Sequence, residues 1–173
     1  MNASTLVAGA ALVLAGCARM PPAPTAATAE LKDARGQVVG TATLTEAGGG
    51  VRLSVDARGL TPGEHGIHIH EVGRCDPPAF TSAGAHFNPD RKQHGLQNPA
   101  GPHAGDLPNL TVAADGAGRL ETTTDRVTLG SGPRSLFDAD GSALVVHAAP
   151  DDMRTDPTGN SGGRVACGVI VRK

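Results

Sequence analysis

The sequence predicts an all-β domain: a flattened eight-stranded barrel or sandwich of Greek-key type, with two long functional loops and no substantial helix. Three observations point there. Val51, Leu53, Val55 and Ala57 alternate with Arg52, Ser54, Asp56 and Arg58, the period-two pattern of a half-buried antiparallel strand. Gly (24) and Pro (13) are abundant among the 173 residues, so the chain must turn often. No segment repeats its apolar residues at a helical period.

The other strands follow from the same pattern. Leu31–Ala34 and Ala42–Thr45 neighbour the first strand, through turns at Arg35-Gly36-Gln37 and Gly48-Gly49-Gly50. Further strands are expected at His65–Glu71, Leu110–Ala114, Arg119–Thr124, Ala143–His147 and Val165–Val171. Asp115-Gly116-Ala117-Gly118 is a hairpin signal. Gly73–Asn109 and Ala148–Gly163 lack any strand rhythm. Loops longer than about fifteen residues are usually functional or disordered, and these hold or flank most of the histidines. The core has no Trp, no Tyr and only Phe80, Phe87 and Phe137 to draw on, so Val, Leu, Ile and Ala must build it. Such a core gains from a disulfide, a metal or a closed sheet. The net charge of −2 offers no basic surface for nucleic acid.

The first residues read as an export segment. Leu6–Gly16 is an apolar run too short to span a bilayer and suited to a signal-peptide core, so residues 1–16 are assigned as a signal peptide. Leu14-Ala15-Gly16-Cys17 resembles the lipobox of bacterial lipoproteins, in which the Cys is lipidated. Met1–Thr5 departs from that pattern in carrying no Lys or Arg. The Pro- and Ala-rich residues 17–28 then form a lipidated Cys17 and a flexible tether, and 29–173 the folded domain. Ala18 in place of Asp implies outer-membrane sorting. With Cys17 acylated, Cys75 and Cys167 remain as a pair in an oxidising compartment, where a disulfide is the expected state.

The seven histidines carry the chemistry: His65, His68, His70, His86, His94, His103 and His147. Strand alternation in Gly66-Ile67-His68-Ile69-His70 sets His68 and His70 on one face and the two isoleucines on the other. Two imidazoles at that spacing can turn onto one ion. His147 ends an apolar strand and offers a third. His86, His94, His103 and Asp106 share the long first loop, and three imidazoles with a carboxylate suit tetrahedral zinc. An imidazole-rich set suits copper. Spacing alone leaves open which histidine joins which metal.

Five motifs in order resolve this by resemblance. Gly63-Glu64-His65-Gly66-Ile67-His68-Ile69-His70-Glu71, Ser82-Ala83-Gly84-Ala85-His86-Phe87-Asn88-Pro89, His94-Gly95, His103-Ala104-Gly105-Asp106-Leu107-Pro108-Asn109-Leu110 and Gly159-Asn160-Ser161-Gly162-Gly163-Arg164-Val165-Ala166-Cys167-Gly168 resemble the copper/zinc superoxide dismutases. Gly73-Arg74-Cys75-Asp76-Pro77 is similar to the bacterial branch. The resemblance implies copper held by His68, His70, His86 and His147, and zinc by His86, His94, His103 and Asp106, with His86 bridging as an imidazolate. It implies Asp151 as the carboxylate linking His68 to His94, Arg164 as the guanidinium beside copper, and a Cys75–Cys167 disulfide. His65 matches a non-ligand position. The implied reaction is 2 O₂⁻ + 2 H⁺ → O₂ + H₂O₂, with copper alternating between two oxidation states and His86 taking and returning a proton. The expected setting is the periplasmic side of the bacterial envelope, with the outer membrane as the anchor. Monomeric and dimeric relatives leave a homodimer open. A non-catalytic member of the fold would be expected to have lost copper ligands or Arg164, a metal buffer would not need Arg164, and a zinc hydrolase would need an open zinc position.

Overall fold

The computed structural model describes residues 25–173. The signal segment, Cys17 and most of the expected tether lie outside the described residues. Ten strands form one antiparallel sheet: β1 (Ala26–Asp33), β2 (Val38–Ala47), β3 (Gly50–Ala57), β4 (Gly63–His65), β5 (Ile67–His70), β6 (Leu110–Val112), β7 (Gly118–Thr124), β8 (Ala143–His147), β9 (Arg164–Val169) and β10 (Val171–Arg172). The neighbour order is β4-β6-β7-β3-β2-β1-β9-β8-β5, with β10 beside β1. The sheet's two edge strands, β4 and β5, are consecutive in the chain. Only Gly66 separates them, so the sheet curls into a nearly closed barrel, which leaves little open edge.

The all-β class is as expected, and the count rises from eight strands to ten because two expected strands are divided. His65–Glu71 breaks at Gly66, where the chain passes from one edge of the sheet to the other. A Cβ there would stand 2.7 Å from the Ser161 side chain, so only glycine fits. Val165–Val171 breaks at Ile170, beyond which the chain pairs with β1 alone. β1 also begins at Ala26, inside the segment read as a tether. Ala27, Ala29 and Leu31 are fully buried and alternate with Ala26, Thr28 and Glu30, a period-two pattern written largely in alanine. The one helical turn among the described residues, the 3₁₀ segment Thr81–Ala83, sits inside the first long loop.

The barrel interior is filled by inward residues of every layer, among them Leu31, Leu44, Leu53, Val55, Ile67, Ile69, Leu110 and Leu144, all at most 1% exposed. A third long connection, residues 125–142, closes the barrel and has no counterpart in the sequence reading. Its Leu129 and Leu136 are fully buried. The Glu46 carboxylate accepts hydrogen bonds from the Leu129 and Gly130 amides at 2.7 and 3.1 Å and from the Thr128 hydroxyl, tying this loop to β2. The expected disulfide is present: Cys75 and Cys167 are bonded, with Cα atoms 5.7 Å apart. It fastens the start of the first long loop to β9, next to a small cluster of Phe80, Ala83, Ala143 and Val145.

Candidate metal centre

β5 and β8 pair antiparallel, with His68 opposite Val145 and His70 opposite Ala143. Ile67 and Ile69 enter the core as the alternation requires, leaving both imidazoles on the opposite face. His147, at the end of β8, comes to the same face, and His70 Nε2 lies 3.4 Å from His147 Nε2. The first long loop returns over them and delivers His86, whose ring stacks on His68 at a centroid distance of 4.0 Å. His68, His70, His86 and His147 each present one ligand atom, all within 4.8 Å of one another.

The second cluster forms around Asp106. Its Oδ1 lies 3.1 Å from His86 Nδ1, 3.0 Å from His94 Nδ1 and 3.5 Å from His103 Nδ1. Its Oδ2 accepts the amides of Gly95 (2.8 Å) and His103 (2.9 Å), which aims Oδ1 at the imidazoles. Ligand atoms of His68, His86, His94 and Asp106 also fall within 4.8 Å of one another, and His103 is the outermost member of the expected zinc set. His68 enters that group through its stacking on His86. A ring with one free nitrogen serves one ion, and the other His68 nitrogen is already used.

Four of the six rings are steered from behind. Asp151 Oδ2 accepts from His68 Nε2–H at 2.8 Å and Oδ1 from His94 Nε2–H at 3.0 Å, so one carboxylate orients a ring of each cluster. His70 Nδ1–H donates to the Gly84 carbonyl (3.0 Å) and His147 Nδ1–H to the Gly162 carbonyl (3.2 Å). These bonds fix the tautomers and leave the other nitrogens facing inward. Gly159 carries φ +62°, and a Cβ there would overlap the Asp151 carboxylate and approach His94 Nε2. Asn109 and Asp151 exchange reciprocal bonds, Asn109 Nδ2 to the Asp151 carbonyl (3.0 Å) and the Asp151 amide to Asn109 Oδ1 (2.9 Å), joining the two long loops. His65 is turned away, with its ring bonded to the carbonyls of Thr61 and His147, the structural role expected for it.

The donor set fits two metal ions. His68 Nδ1, His86 Nε2 and His94 Nδ1 are buried without a hydrogen-bond partner. Buried polar atoms left unsatisfied are costly, and bare imidazole nitrogens set among other possible ligand atoms suit metal binding.

The Arg164 guanidinium is half-buried and held by two carbonyls, Phe80 and Gly84, each at 2.6 Å. It lines a cleft of about 680 Å³ together with His70, His86, His103 and His147. Gly84 therefore serves both the cation and a metal-facing ring. Arg126 escaped the sequence reading. Its guanidinium donates to the Asp106 carbonyl at 2.7 Å. A lone arginine after a strand reads as a solvated charge, and only its burial in the third loop reveals the contact.

Residues 38–170 match the family described as copper/zinc superoxide dismutase. The chain belongs to the copper/zinc superoxide dismutase family. It is 51% identical over 146 residues to Superoxide dismutase [Cu-Zn] 2 of Aquifex aeolicus, covering 83% of this chain and 85% of that one. It is 52% identical over 147 residues to Superoxide dismutase [Cu-Zn] of Caulobacter vibrioides, covering 83% and 84%. Among solved structures, a SOD-like protein from Bacillus subtilis aligns with TM-score 0.80 and 41% identity over 83% of this chain and 97% of that one. The dismutase's cofactors are copper and zinc, and both clusters are groups that could hold metal ions.

Without metal, the site's histidines split in their proton affinity. Burial holds His70 down to about 2, His147 to about 3 and His86 to about 4, with neighbouring imidazoles adding to the drop. For His94 burial also opposes the charge, but the Asp106 and Asp151 carboxylates beside its ring win and raise it to about 9. In an unfolded chain all four would titrate near ~6.5. Below ~6.5 the unfolded chain protonates His70, His86 and His147 while the fold keeps them neutral, so stability falls with falling pH. From ~6.5 up to about 9 only the fold keeps His94 charged, so stability falls with rising pH. The melting temperature of chelator-stripped dismutase is expected to peak near pH ~6.5. A scan that still climbs steadily to pH ~9 would contradict the His94 arrangement.

Proposed function

We propose that this dismutase works through a His86-bridged pair, with copper at His68, His70, His86 and His147 and zinc at His86, His94, His103 and Asp106. The observation that carries this is the placement of one ring between two clusters. His86 turns Nδ1 toward Asp106 and His103, while Nε2 is buried and bare on the side of the other set. When bound, copper supplies a one-electron redox couple and zinc a redox-silent charge.

The chain's own residues do the rest. Asp151 locks His68 and His94 together, so the two halves keep a constant spacing. Arg164 places a fixed positive charge on the cleft wall, where it draws in a small anion and orients it beside the copper ligands. His86 Nε2 is the atom at which a proton can be held and handed to the departing product.

Arg164→Ile tests this division of labour. Superoxide consumption per bound copper should fall on the order of tenfold or more, and its decline with added salt should flatten. Copper and zinc content should stay unchanged. Full activity with unaltered salt dependence would remove Arg164 from the mechanism.

We further propose that the enzyme acts on the periplasmic face of the envelope, held to the outer membrane by lipid on Cys17. The apolar run ending in Leu14-Ala15-Gly16-Cys17 supports this, as does the disulfide, which favours an oxidising compartment. Cys17→Ser should move the activity from the membrane fraction to the soluble fraction, and activity that stays with membranes would overturn the anchor.

A further inference from the structure

We infer that Asp156 is a positioning residue for the zinc half of the site, orienting His103 and pinning the backbone of His94 from the mouth of the cleft. This rests on the assignment of zinc to the Asp106 cluster. Histidines that ligate metals almost always give their second nitrogen to an acceptor, which sets tautomer and orientation. In this site His68 and His94 use Asp151, and His70 and His147 use backbone carbonyls. His86 turns a nitrogen to each cluster. His103 is the remaining ring, with Nδ1 toward Asp106 and Nε2 at 3.6 Å from Asp156 Oδ1. Among the described residues, Asp106 and Asp156 are the carboxylates within ion-pair distance of the His103 ring.

The same Asp156 oxygen accepts the His94 amide at 2.6 Å. One side chain from the Ala148–Gly163 loop thus bonds the backbone of one residue of the first long loop and stands within ion-pair distance of another. Asp151 does related work from the interior, but it spans both metals. Asp156 reaches the zinc side alone. Its side chain is 48% exposed and lines the cleft, so its charge also faces an incoming anion. In the sequence Asp156 lies within Ala148–Gly163, the second stretch without strand rhythm, and nothing there marks it for a role. Its neighbours in the chain carry no such signal, and only folding brings it to His103.

Two variants separate its contributions. Asp156→Asn keeps an oxygen for the His94 amide and loses the charge facing His103. Asp156→Ala loses both. Zinc is titrated into copper-free full-length protein against a chromophoric chelator, and the visible bands of the cobalt(II)-substituted zinc site are recorded alongside. Zinc affinity is expected to fall about 10-fold in the Asn variant and toward 100-fold in the Ala variant. The cobalt bands should shift, copper affinity should stay within about twofold, and the melting temperature of the metal-free protein should hold. Wild-type protein that binds zinc, with both variants within about twofold of it and unshifted cobalt bands, would overturn the role of Asp156. Wild-type protein that takes up no zinc would overturn the zinc assignment and this inference with it. Equal losses of copper and zinc would replace a zinc-side role with general loosening of the loop.

Discussion

His147→Ala is expected to bring superoxide decay down to its spontaneous rate while the protein still folds and still takes up zinc. His147 is one of four imidazoles in the proposed copper set, and no ion pair joins it to the Asp106 carboxylate. Its ring nitrogens meet only His70 Nε2 and the Gly162 carbonyl, so its loss leaves the zinc cluster's bonds untouched. The ring is 2% exposed, and its truncation leaves a small polar hollow that water from the adjoining cleft can fill. Stability should therefore drop modestly, by about 1–2 kcal/mol, against a loss of activity of several orders of magnitude. Metal analysis showing zinc near one per chain and copper well below one, with near-normal melting, is the expected result. Substantial activity at full copper occupancy would mean that His147 is not needed for copper chemistry.

Opening the disulfide should produce the largest change in stability. Cys75 and Cys167 are 92 residues apart, and closing a loop of that size restricts the unfolded chain by about 4–5 kcal/mol in the chain-entropy treatment. For a domain of this size that corresponds to a fall in melting temperature of about 10–20 °C. The effect should also reach catalysis. The segment after Cys75 supplies the Phe80 and Gly84 carbonyls that hold Arg164, and Phe80 packs against Cys167 in the small cluster beside the bond. Cys75→Ser with Cys167→Ser should lower activity per bound copper in the same sense as Arg164→Ile, even below the melting temperature. Unchanged melting on reduction would show that the bond does not contribute to stability. Unchanged activity per copper would show that the loop holds Arg164 without it.

The strands of this fold were visible in proportion to how plainly their residues alternate. Val51–Ala57 and Ala143–His147 show apolar side chains and appear at or close to their expected bounds. β1 was partly hidden because Ala27 and Ala29 bury little area and look like linker, although the period is intact. The breaks at Gly66 and Ile170 could not be seen, since they depend on which strand lies alongside. Residues 125–142 were passed over for a similar reason. Leu129 and Leu136 are too widely spaced to suggest a strand, and their burial comes from capping the barrel.

The sequence by itself determined the chemistry: six imidazoles and an aspartate suited to two metals, two cysteines suited to a disulfide, and an arginine before the second cysteine. Alternation placed His68 and His70 on one face because strand geometry is local, and resemblance to a family sorted the remaining ligands. Only the tertiary structure decided what stands behind those ligands. The Gly84 carbonyl shared by Arg164 and His70, the Arg126 contact to Asp106 and the Asp156 approach to His103 join residues 14 to 80 positions apart. Such contacts leave no periodic trace in a chain, because loop residues are brought together by the closure of the barrel beneath them and not by their own spacing.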